Sequence, residues 1–355
     1  MKRIAIKIGT NVLSLTNGKL DMDSIARLVA QVAYLKQVGK EIIIVTSGAV
    51  GAGKGVLSLP QNLDKVTQRQ VLSAVGQPHL MKVYIDLFRE YNLHCAQVLT
   101  TKEDFRDRRH YINMKNCFLA LLRDKIIPIV NENDVVSIGE LMFTDNDELA
   151  GMMASMIGAD TLIYLSSVDG IYNSLPEQAI GKVISKINVD DYQISNFITS
   201  EKSSFGRGGM MTKYRFACKS AKVGIDTYIA NGKTPNIITD VVSGIEVGTR
   251  FIASNPLKSS KKWVAWQNRN FKGSITINQG AVDAITNSVC SLLPVGIIEV
   301  SGEFEKGDLL AIINEQKETI GIGVAMYNYL IARSNMGKKR AKALIHYDYL
   351  YIGPL

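Results

Sequence analysis

Hydrophobic residues in this chain occur in short β-branched runs that alternate with amphipathic stretches. The runs at residues 4–8 and 41–45 flank a stretch, residues 22–38, in which apolar positions recur at helical spacing. The alternation returns in the runs 126–130, 161–165 and 227–230 and in the helical stretch 211–223. Such alternation is typical of βαβ units, so the sequence predicts an α/β fold with a mostly parallel open sheet sandwiched by helices.

The pattern changes near Pro256. A polar, basic stretch at residues 258–262 is followed by short strand-like runs and glycine-containing turns. We therefore predict two domains, residues 1–257 and residues 258–355, of which the second is a linker plus a small, mostly-β domain.

Composition narrows the class of protein. The 355 residues are 46% hydrophobic and carry a formal net charge of +8, which excludes a disordered chain and permits an acidic partner. Because no apolar run has membrane-spanning length and no cleavable leader is recognisable, we expect a cytoplasmic protein. The four cysteines lie far apart and no Gly-x-Ser-x-Gly motif is present, so disulfide frameworks, zinc sites and hydrolase triads are disfavoured.

Ligands of open α/β sheets bind beyond the carboxyl ends of the strands, and two early loops there are unusual. Lys7 interrupts the first apolar run, so its ammonium group either contacts an anion or extends to solvent. The second run leads into the glycine-rich segment 46–55. Its Gly48, Gly53 and Lys54 have Walker A spacing, but Gly55 stands where a hydroxyl would bind magnesium. An anion-binding or substrate-binding loop, or a packed turn, is favoured over a P-loop.

Two later segments carry polar groups. Residues 131–134 and 145–148 combine acids with amides, which suit binding of an amine, a water-mediated magnesium ion or the orientation of lysines. Helix capping by Asp145 or Asn146 is the structural alternative. Residues 205–213 place Arg207 and Lys213 at a helix start, as either a phosphate-binding terminus or an interdomain loop. Together these features predict phosphoryl transfer.

Several of these segments closely resemble the glutamate 5-kinase branch of the amino acid kinase family. They are Ile6-Lys7-Ile8-Gly9-Thr10, Val45-Thr46-Ser47-Gly48-Ala49-Val50, Ala74-Val75-Gly76-Gln77, Val130-Asn131-Glu132-Asn133-Asp134, Asp145-Asn146-Asp147 and Gly208-Gly209-Met210 with Thr212-Lys213. The tail, with Gly280-Ala281-Val282 and the segments 292–297 and 302–308, is similar to a PUA domain.

This resemblance implies ATP-dependent phosphorylation of the γ-carboxylate of L-glutamate to γ-glutamyl 5-phosphate, the first step of proline biosynthesis. It implies ATP as phosphate donor, Mg²⁺ as cofactor, feedback inhibition by L-proline and a homo-oligomer, either a dimer or a tetramer. The catalytic residues it implies are Lys7, Lys213 and Asp147, and glutamate would be bound by Ser47, Asp134 and Asn146. The metal ligands are left unassigned.

The resemblance also implies a set of ATP-binding residues that includes the two lysines. They are Lys7, Gly9, Thr10, Gly48, Ser166, Ser167, Arg207, Gly208, Gly209, Met210, Met211, Thr212 and Lys213. Family members usually carry Thr-Asp in place of Ser166-Ser167 and Asp-Pro in place of Leu175-Pro176. Arg207 stands where a small residue is common, and we expect it to add a phosphate contact.

Two other readings are open from the sequence. The chain could be a family member that acts on aspartate, acetylglutamate or a nucleoside monophosphate. It could also be an RNA-binding module, because the tail groups the basic residues Arg333, Lys338, Lys339, Arg340 and Lys342.

Overall fold

The computed structural model describes residues 2–353 apart from positions 61, 138, 140, 141, 144, 174–180, 190–208, 255–258 and 267–270. The chain divides into two compact units, Met1–Pro256 and Leu257–Leu355. No helix within the described residues is long and apolar enough to cross a membrane.

The first unit alternates strands and helices. Its strands are β1 (Arg3–Ile8), β2 (Glu41–Val45), β3 (Cys95–Thr100), β4 (Ile127–Glu132), β5 (Thr161–Ser166), β6 (Lys186–Asn188), β7 (Asp226–Asn231) and β8 (Thr249–Ile252). Its helices are α1 (Thr10–Leu13), α2 (Met22–Gln37), α3 (Ala49–Val56), α4 (Lys65–Arg89), α5 (Lys102–Arg106), α6 (Arg108–Arg123), α7 (Asn146–Ile157), α8 (Met210–Lys222) and α9 (Ile237–Ser243).

Among the described residues these strands form one eight-stranded sheet in the order β3-β4-β2-β1-β5-β7-β8-β6. Pairing is parallel from β3 through to β7, whereas β8 runs antiparallel to β7 and pairs in parallel with β6. The predicted mostly parallel sheet is thus confirmed. Central strands such as β1, β2 and β5 are buried on both faces, which explains their nearly unbroken apolar sequences.

The order of the strands locates a crevice. In the strand order, β2, β4 and β3 lie on one side of β1, whereas the later strands β5 and β7 lie on the other side of β1. Loops that follow strands on either side of such a reversal separate and leave space at the carboxyl edge. The segments after β1, β2, β4 and β5 therefore meet at one end of the sheet.

The second unit contains a smaller sheet. Its elements are α10 (Ser259–Trp266), β9 (Gly273–Ile277), α11 (Gln279–Asn287), β10 (Ile297–Gly302), β11 (Leu309–Ile313), β12 (Thr319–Ala325), α12 (Tyr329–Asn335) and β13 (Ile345–Ile352). The described strands pair in the order β10-β9-β11-β12-β13, antiparallel except between β9 and β11. They enclose an apolar core of their own, which confirms the small, mostly-β domain predicted from the sequence.

Helices α3 and α4 touch backbone to backbone at two glycines. A Cβ atom on Gly76 would lie 1.8 Å from the Ala49 carbonyl oxygen, and one on Gly53 would lie 2.0 Å from the Leu72 carbonyl oxygen. Neither contact leaves room for a side chain. The contact explains Gly76 in the Ala-Val-Gly-Gln motif as a packing requirement.

We expect Gly76→Ala to lower the free energy of unfolding by about 3 kcal/mol or more, because the methyl group would force the two helices apart. Gly55→Ala is the matched control in α3, since its Cβ would meet only the Lys19 side chain at 3.9 Å. That change should be neutral or stabilise the helix by up to about 1 kcal/mol. Urea unfolding measures both variants, and equal effects would contradict the close crossing.

Candidate active site

The centre of the candidate site is a carboxylate held between two lysines. Lys7 lies in β1, while Asp147 and Lys213 lie in the first turns of α7 and α8. The Nζ of Lys7 is 2.6 Å from Asp147 Oδ1, and the Nζ of Lys213 donates to Asp147 Oδ2 at 2.9 Å. All three side chains are buried, Asp147 completely. The three predicted catalytic residues therefore converge, and Lys7 contacts an anion rather than solvent.

The charged groups of this cluster shift one another's pKa values. Burial alone would raise the pKa of Asp147, but the two ammonium groups outweigh burial and hold that pKa at about 2. Burial lowers the pKa of Lys7, whereas for Lys213 the attraction of Asp147 outweighs burial and raises the pKa. These three residues together carry one net positive charge, which suits the binding of an anion. The nearby Asp145 attracts both lysines as well.

Local structure explains where Asp147 stands. Asp145 caps α7 by accepting hydrogen bonds from the amides of Asp147 at 2.8 Å and Glu148 at 3.2 Å. From below, the buried hydroxyl of Tyr164 in β5 donates to the Asp147 carbonyl oxygen at 3.0 Å. The predicted capping by Asp145 is thus confirmed. The same cap starts the helix that carries Asp147, the carboxylate predicted to be catalytic.

Asn146 connects the ends of β2 and β4. Its Nδ2 lies 2.8 Å from the Thr46 carbonyl oxygen, 3.0 Å from Ser47 Oγ and 3.0 Å from Asn131 Oδ1. Asn131 in turn donates to the buried side chain of Gln77 at 2.9 Å. A single amide NH₂ has two hydrogens for these three acceptors. In the contact with Asn146 the Ser47 hydroxyl is the acceptor, so its own hydrogen can still be donated to another group.

Asp134, the third predicted glutamate-binding residue, belongs to an ion-pair cluster at the end of β4. The Nη2 of Arg69, in α4, contacts Asp134 Oδ1 and lies 3.3 Å from Glu132 Oε2. The amide of Phe143 donates to Glu132 Oε1 at 2.9 Å. Burial raises the pKa of Asp134 and raises that of Glu132 to about 7.

Glycines shape the site near Lys7. Gly48 caps α3 with φ at +98°, a left-handed conformation that favours glycine, and the first amides of that helix have no intrahelical acceptor. A Cβ on Gly9 would lie 3.7 Å from Lys7 Nζ, so glycine leaves the space beside the ammonium group open. The Gly9 amide itself donates to the Leu165 carbonyl oxygen at 3.1 Å. A phosphate contact through the predicted Gly9 N–H would require exchange of this bond.

The predicted ATP-binding residues of α8 lie at its N-terminus. Thr212 Oγ1 accepts from the Gly209 amide at 3.0 Å and donates to the Gly209 carbonyl oxygen at 2.8 Å, so this hydroxyl stabilises the start of the helix. Met210 and Met211 begin the helix, where backbone amides have no intrahelical acceptor. Arg207 and Gly208 lie outside the described residues, as do Leu175 and Pro176.

The nucleotide side of the predicted site follows β5. Ser166 ends this strand, and its carbonyl oxygen accepts from the Gly232 amide at 2.8 Å, while Ser167 is exposed. Asp169 accepts from Asn231 Nδ2 at 2.9 Å and from the Tyr172 hydroxyl at 3.1 Å. Ser166 thus helps to join β5 to β7, while the exposed Ser167 follows the end of β5.

The apparent Walker A motif is part of a helix. Gly53 and Lys54 lie within α3, where Gly53 packs on Leu72 and Lys54 is exposed in the last turn. This placement agrees with the prediction that the segment is not a P-loop. Among the described residues no group of three or more His, Cys, Asp or Glu side chains is placed to hold a metal ion.

Two residues of the site, Tyr164 and Arg69, are not predicted from the sequence. Tyr164 resembles an ordinary residue of a buried strand, and Arg69 an ordinary residue of a helix surface. Only the fold brings the Tyr164 hydroxyl to α7 and the Arg69 guanidinium to β4. For Glu132 the signal was present, because a charged residue at the end of a buried run requires a partner.

Because the pKa of Glu132 is raised in the folded protein, we expect the free energy of unfolding to depend on pH. The folded protein keeps a proton on this carboxyl that the unfolded chain releases, so the contribution of Glu132 is lost as pH rises from about 4.5 to 7. Relative to Glu132→Gln, the wild type should lose up to about 3 kcal/mol of unfolding free energy across that range. Urea unfolding at a series of pH values measures the difference. Parallel curves for the two proteins would contradict it.

Comparison with known proteins agrees with this geometry. Residues 2–231 match the amino acid kinase family, and residues 273–347 match the PUA domain. A glutamate 5-kinase from Chlorobaculum tepidum is 50% identical over 99% of this chain and 98% of its own length. One from Bacteroides thetaiotaomicron is 48% identical over 99% and 98%, and one from a Thermoanaerobacter species is 38% identical over 92% and 88%.

Solved structures share the fold at low sequence identity. An isopentenyl phosphate kinase from T. acidophilum covers 70% of this chain and all of its own, with 16% identity and a TM-score of 0.51. A UMP kinase from Bacillus anthracis covers 71% of this chain and 96% of its own, with 15% identity and a TM-score of 0.50. The family match and the full-length relatives are decisive: the chain belongs to the amino acid kinase family, in its glutamate 5-kinase branch, and continues into a PUA domain.

Proposed function

We propose that this protein transfers the γ-phosphoryl group of ATP to the γ-carboxylate of L-glutamate, forming γ-glutamyl 5-phosphate and ADP, the first step of proline biosynthesis. The observation that carries the proposal is the buried Lys7–Asp147–Lys213 cluster at the carboxyl edge of the sheet, in a chain that full-length glutamate 5-kinases match.

The reaction suits such a site. A glutamate carboxylate has an ordinary pKa of about 4.3 and is ionised at neutral pH, so the nucleophile needs no general base. The difficulty is that two anions must approach each other. Lys7 and Lys213 would offset their repulsion and the charge on the transferring group, while Asp147 holds both ammonium groups in position.

Glutamate would lie over the ends of β2 and β4. Asn146 would orient it, the Ser47 hydroxyl would donate to its γ-carboxylate and Asp134 would accept from its ammonium group. The phosphates of ATP would then lie between the starts of α3 and α8, against Gly48 and the first amides of α8. Helix N-termini favour anions there.

The residues present also fit a magnesium ion bound together with ATP. Asp145 Oδ2 is buried and has no hydrogen-bond partner within bonding geometry among the described residues. Mg²⁺ prefers oxygen ligands and commonly combines one or two carboxylates with substrate phosphates. Asp145 would hold the ion, whose charge would lower the repulsion between phosphate and carboxylate.

The remaining assignments follow from this activity. Residues 1–257 would form the catalytic domain for ATP and glutamate, and residues 258–355 the linker and PUA domain. Location in the cytoplasm, a dimer or tetramer and inhibition by L-proline are consistent with a biosynthetic kinase. RNA binding is to be tested at the exposed residues Lys338, Lys339 and Arg340. RNA held there by phosphate contacts should dissociate steeply as the salt concentration rises.

We expect Lys7→Ala and Lys213→Ala each to lower kcat by about 100-fold or more, because each removes charge stabilisation from the transferring group. The measurement is trapping of the acyl phosphate as a hydroxamate with ATP, Mg²⁺ and a panel of amino acids. Lys54→Ala, which changes the exposed lysine of the apparent Walker A motif, is the control and should leave turnover unchanged.

Three outcomes would contradict the proposal. Activity confined to aspartate would assign the chain to another substrate, and absence of acyl phosphate with every carboxylate would reject the kinase activity. If the two lysine variants kept normal turnover and only melted earlier, the cluster would have a structural role.

A further inference from the structure

The cluster of Arg69, Glu132 and Asp134 contains more ionisable groups than the proposed reaction uses. Asp134 alone would suffice to bind the glutamate ammonium group. Yet Glu132 lies beside it, and one guanidinium nitrogen, Nη2 of Arg69, contacts both carboxylates. The side chains of Glu132 and Asp134 are 4% and 9% exposed, whereas that of Arg69 is 29% exposed and borders the crevice.

This arrangement complements an α-amino acid rather than a simple carboxylic acid. A guanidinium group presents five N–H donors, and both of its contacts described here use Nη2. The guanidinium edge can therefore serve a further anion. Asp134, together with Glu132 once that carboxyl releases its proton, forms an acceptor site for a cation. A neighbouring ammonium and carboxylate on one carbon atom would satisfy both halves of the cluster at once.

The spacing between this cluster and the neighbouring strand β2 fits the length of a glutamate molecule. The cluster lies at the end of β4, which pairs with β2, and β2 pairs with β1, the strand of Lys7. Neighbouring strands are about 4.8 Å apart. Three carbon–carbon bonds separate the α-carbon of glutamate from its γ-carboxyl carbon, enough to cross from β4 to β2. The γ-carboxylate would then meet Ser47 and Asn146, with the phosphoryl group between β2 and β1.

We propose that Arg69 is the residue that binds the α-carboxylate of glutamate, while Asp134 and Glu132 together accept its ammonium group. The inference rests on the proposed function and adds a specificity-determining residue to it. Binding then exchanges partners: the substrate ammonium takes the carboxylates that hold Arg69 in the free protein, and the guanidinium turns to the substrate.

The test compares L-glutamate with its α-carboxamide, which keeps the ammonium and the γ-carboxylate but has no α-charge. Binding of each ligand to the full-length protein is measured by titration calorimetry, and KM and kcat by hydroxamate trapping. The wild type should prefer glutamate by about 10- to 100-fold, as expected for a charge-assisted pair. Arg69→Gln should weaken glutamate binding by a similar factor, change the binding of the carboxamide little and so abolish the preference, with kcat nearly unchanged.

Two further variants separate recognition from folding. Arg69→Lys keeps the charge and should restore part of the preference. Arg89→Ala removes an exposed arginine of the same helix that pairs with Asp86, and should change neither ligand's binding. Thermal unfolding of each variant shows whether the fold is retained.

The outcomes are distinct. If Arg69→Gln weakens glutamate and the carboxamide equally, or weakens neither, Arg69 does not bind the α-carboxylate and the inference is wrong. A wild type without preference between the two ligands would overturn it as well. If the wild type neither binds nor phosphorylates glutamate, the proposed function fails first. Phosphorylation of glutamate with a preference that survives in Arg69→Gln would refute this inference alone.

Discussion

Asp147 is a fully buried carboxylate whose two oxygen atoms each contact a lysine ammonium group. Removing three such charges from water costs several kcal/mol per ion, and only their close mutual contacts offset that cost. The cluster also joins three elements of the fold, because β1, α7 and α8 each contribute one charge. The position of α7 is fixed in addition by the Asp145 cap and the Tyr164 hydroxyl. The geometry of the three predicted catalytic residues is therefore part of the structural core.

Around this centre the polar groups divide according to the strand they follow. The end of β1 supplies positive charge, the end of β2 a hydroxyl and a glycine-capped helix, and the end of β4 the paired acids with Arg69. Asn146 bridges the last two groups. A substrate with a carboxylate at each end and an ammonium near one of them matches this order of groups.

Sequence reasoning succeeded where burial determines the residue pattern. The central strands β1, β2, β4, β5 and β7 were predicted to within two residues, because strands covered on both faces need continuous apolar runs. The edge strand β3 is half-buried, and its sequence, Cys95–Thr100, shows no such run. The charged cluster of Lys7, Asp147 and Lys213 came from the family resemblance. Arg69 and Tyr164 depend on contacts between distant segments, and no local pattern encodes those contacts. The packing role of Gly53 also depends on a distant segment, because its contact is with Leu72 of α4.

The crossing of α3 and α4 has a mechanical consequence. The two helices meet through backbone atoms at Gly53 and Gly76, so at these two positions a displacement of one helix presses directly on the backbone of the other. Helix α3 begins at the Gly48 turn, and α4 carries Arg69 and Gln77. A shift of α4 on arrival of an amino acid would thus move the Gly48 turn with it. The two helices would move as one rigid unit. Binding of the amino acid beside Arg69 would therefore alter the free energy of binding ATP beside Gly48.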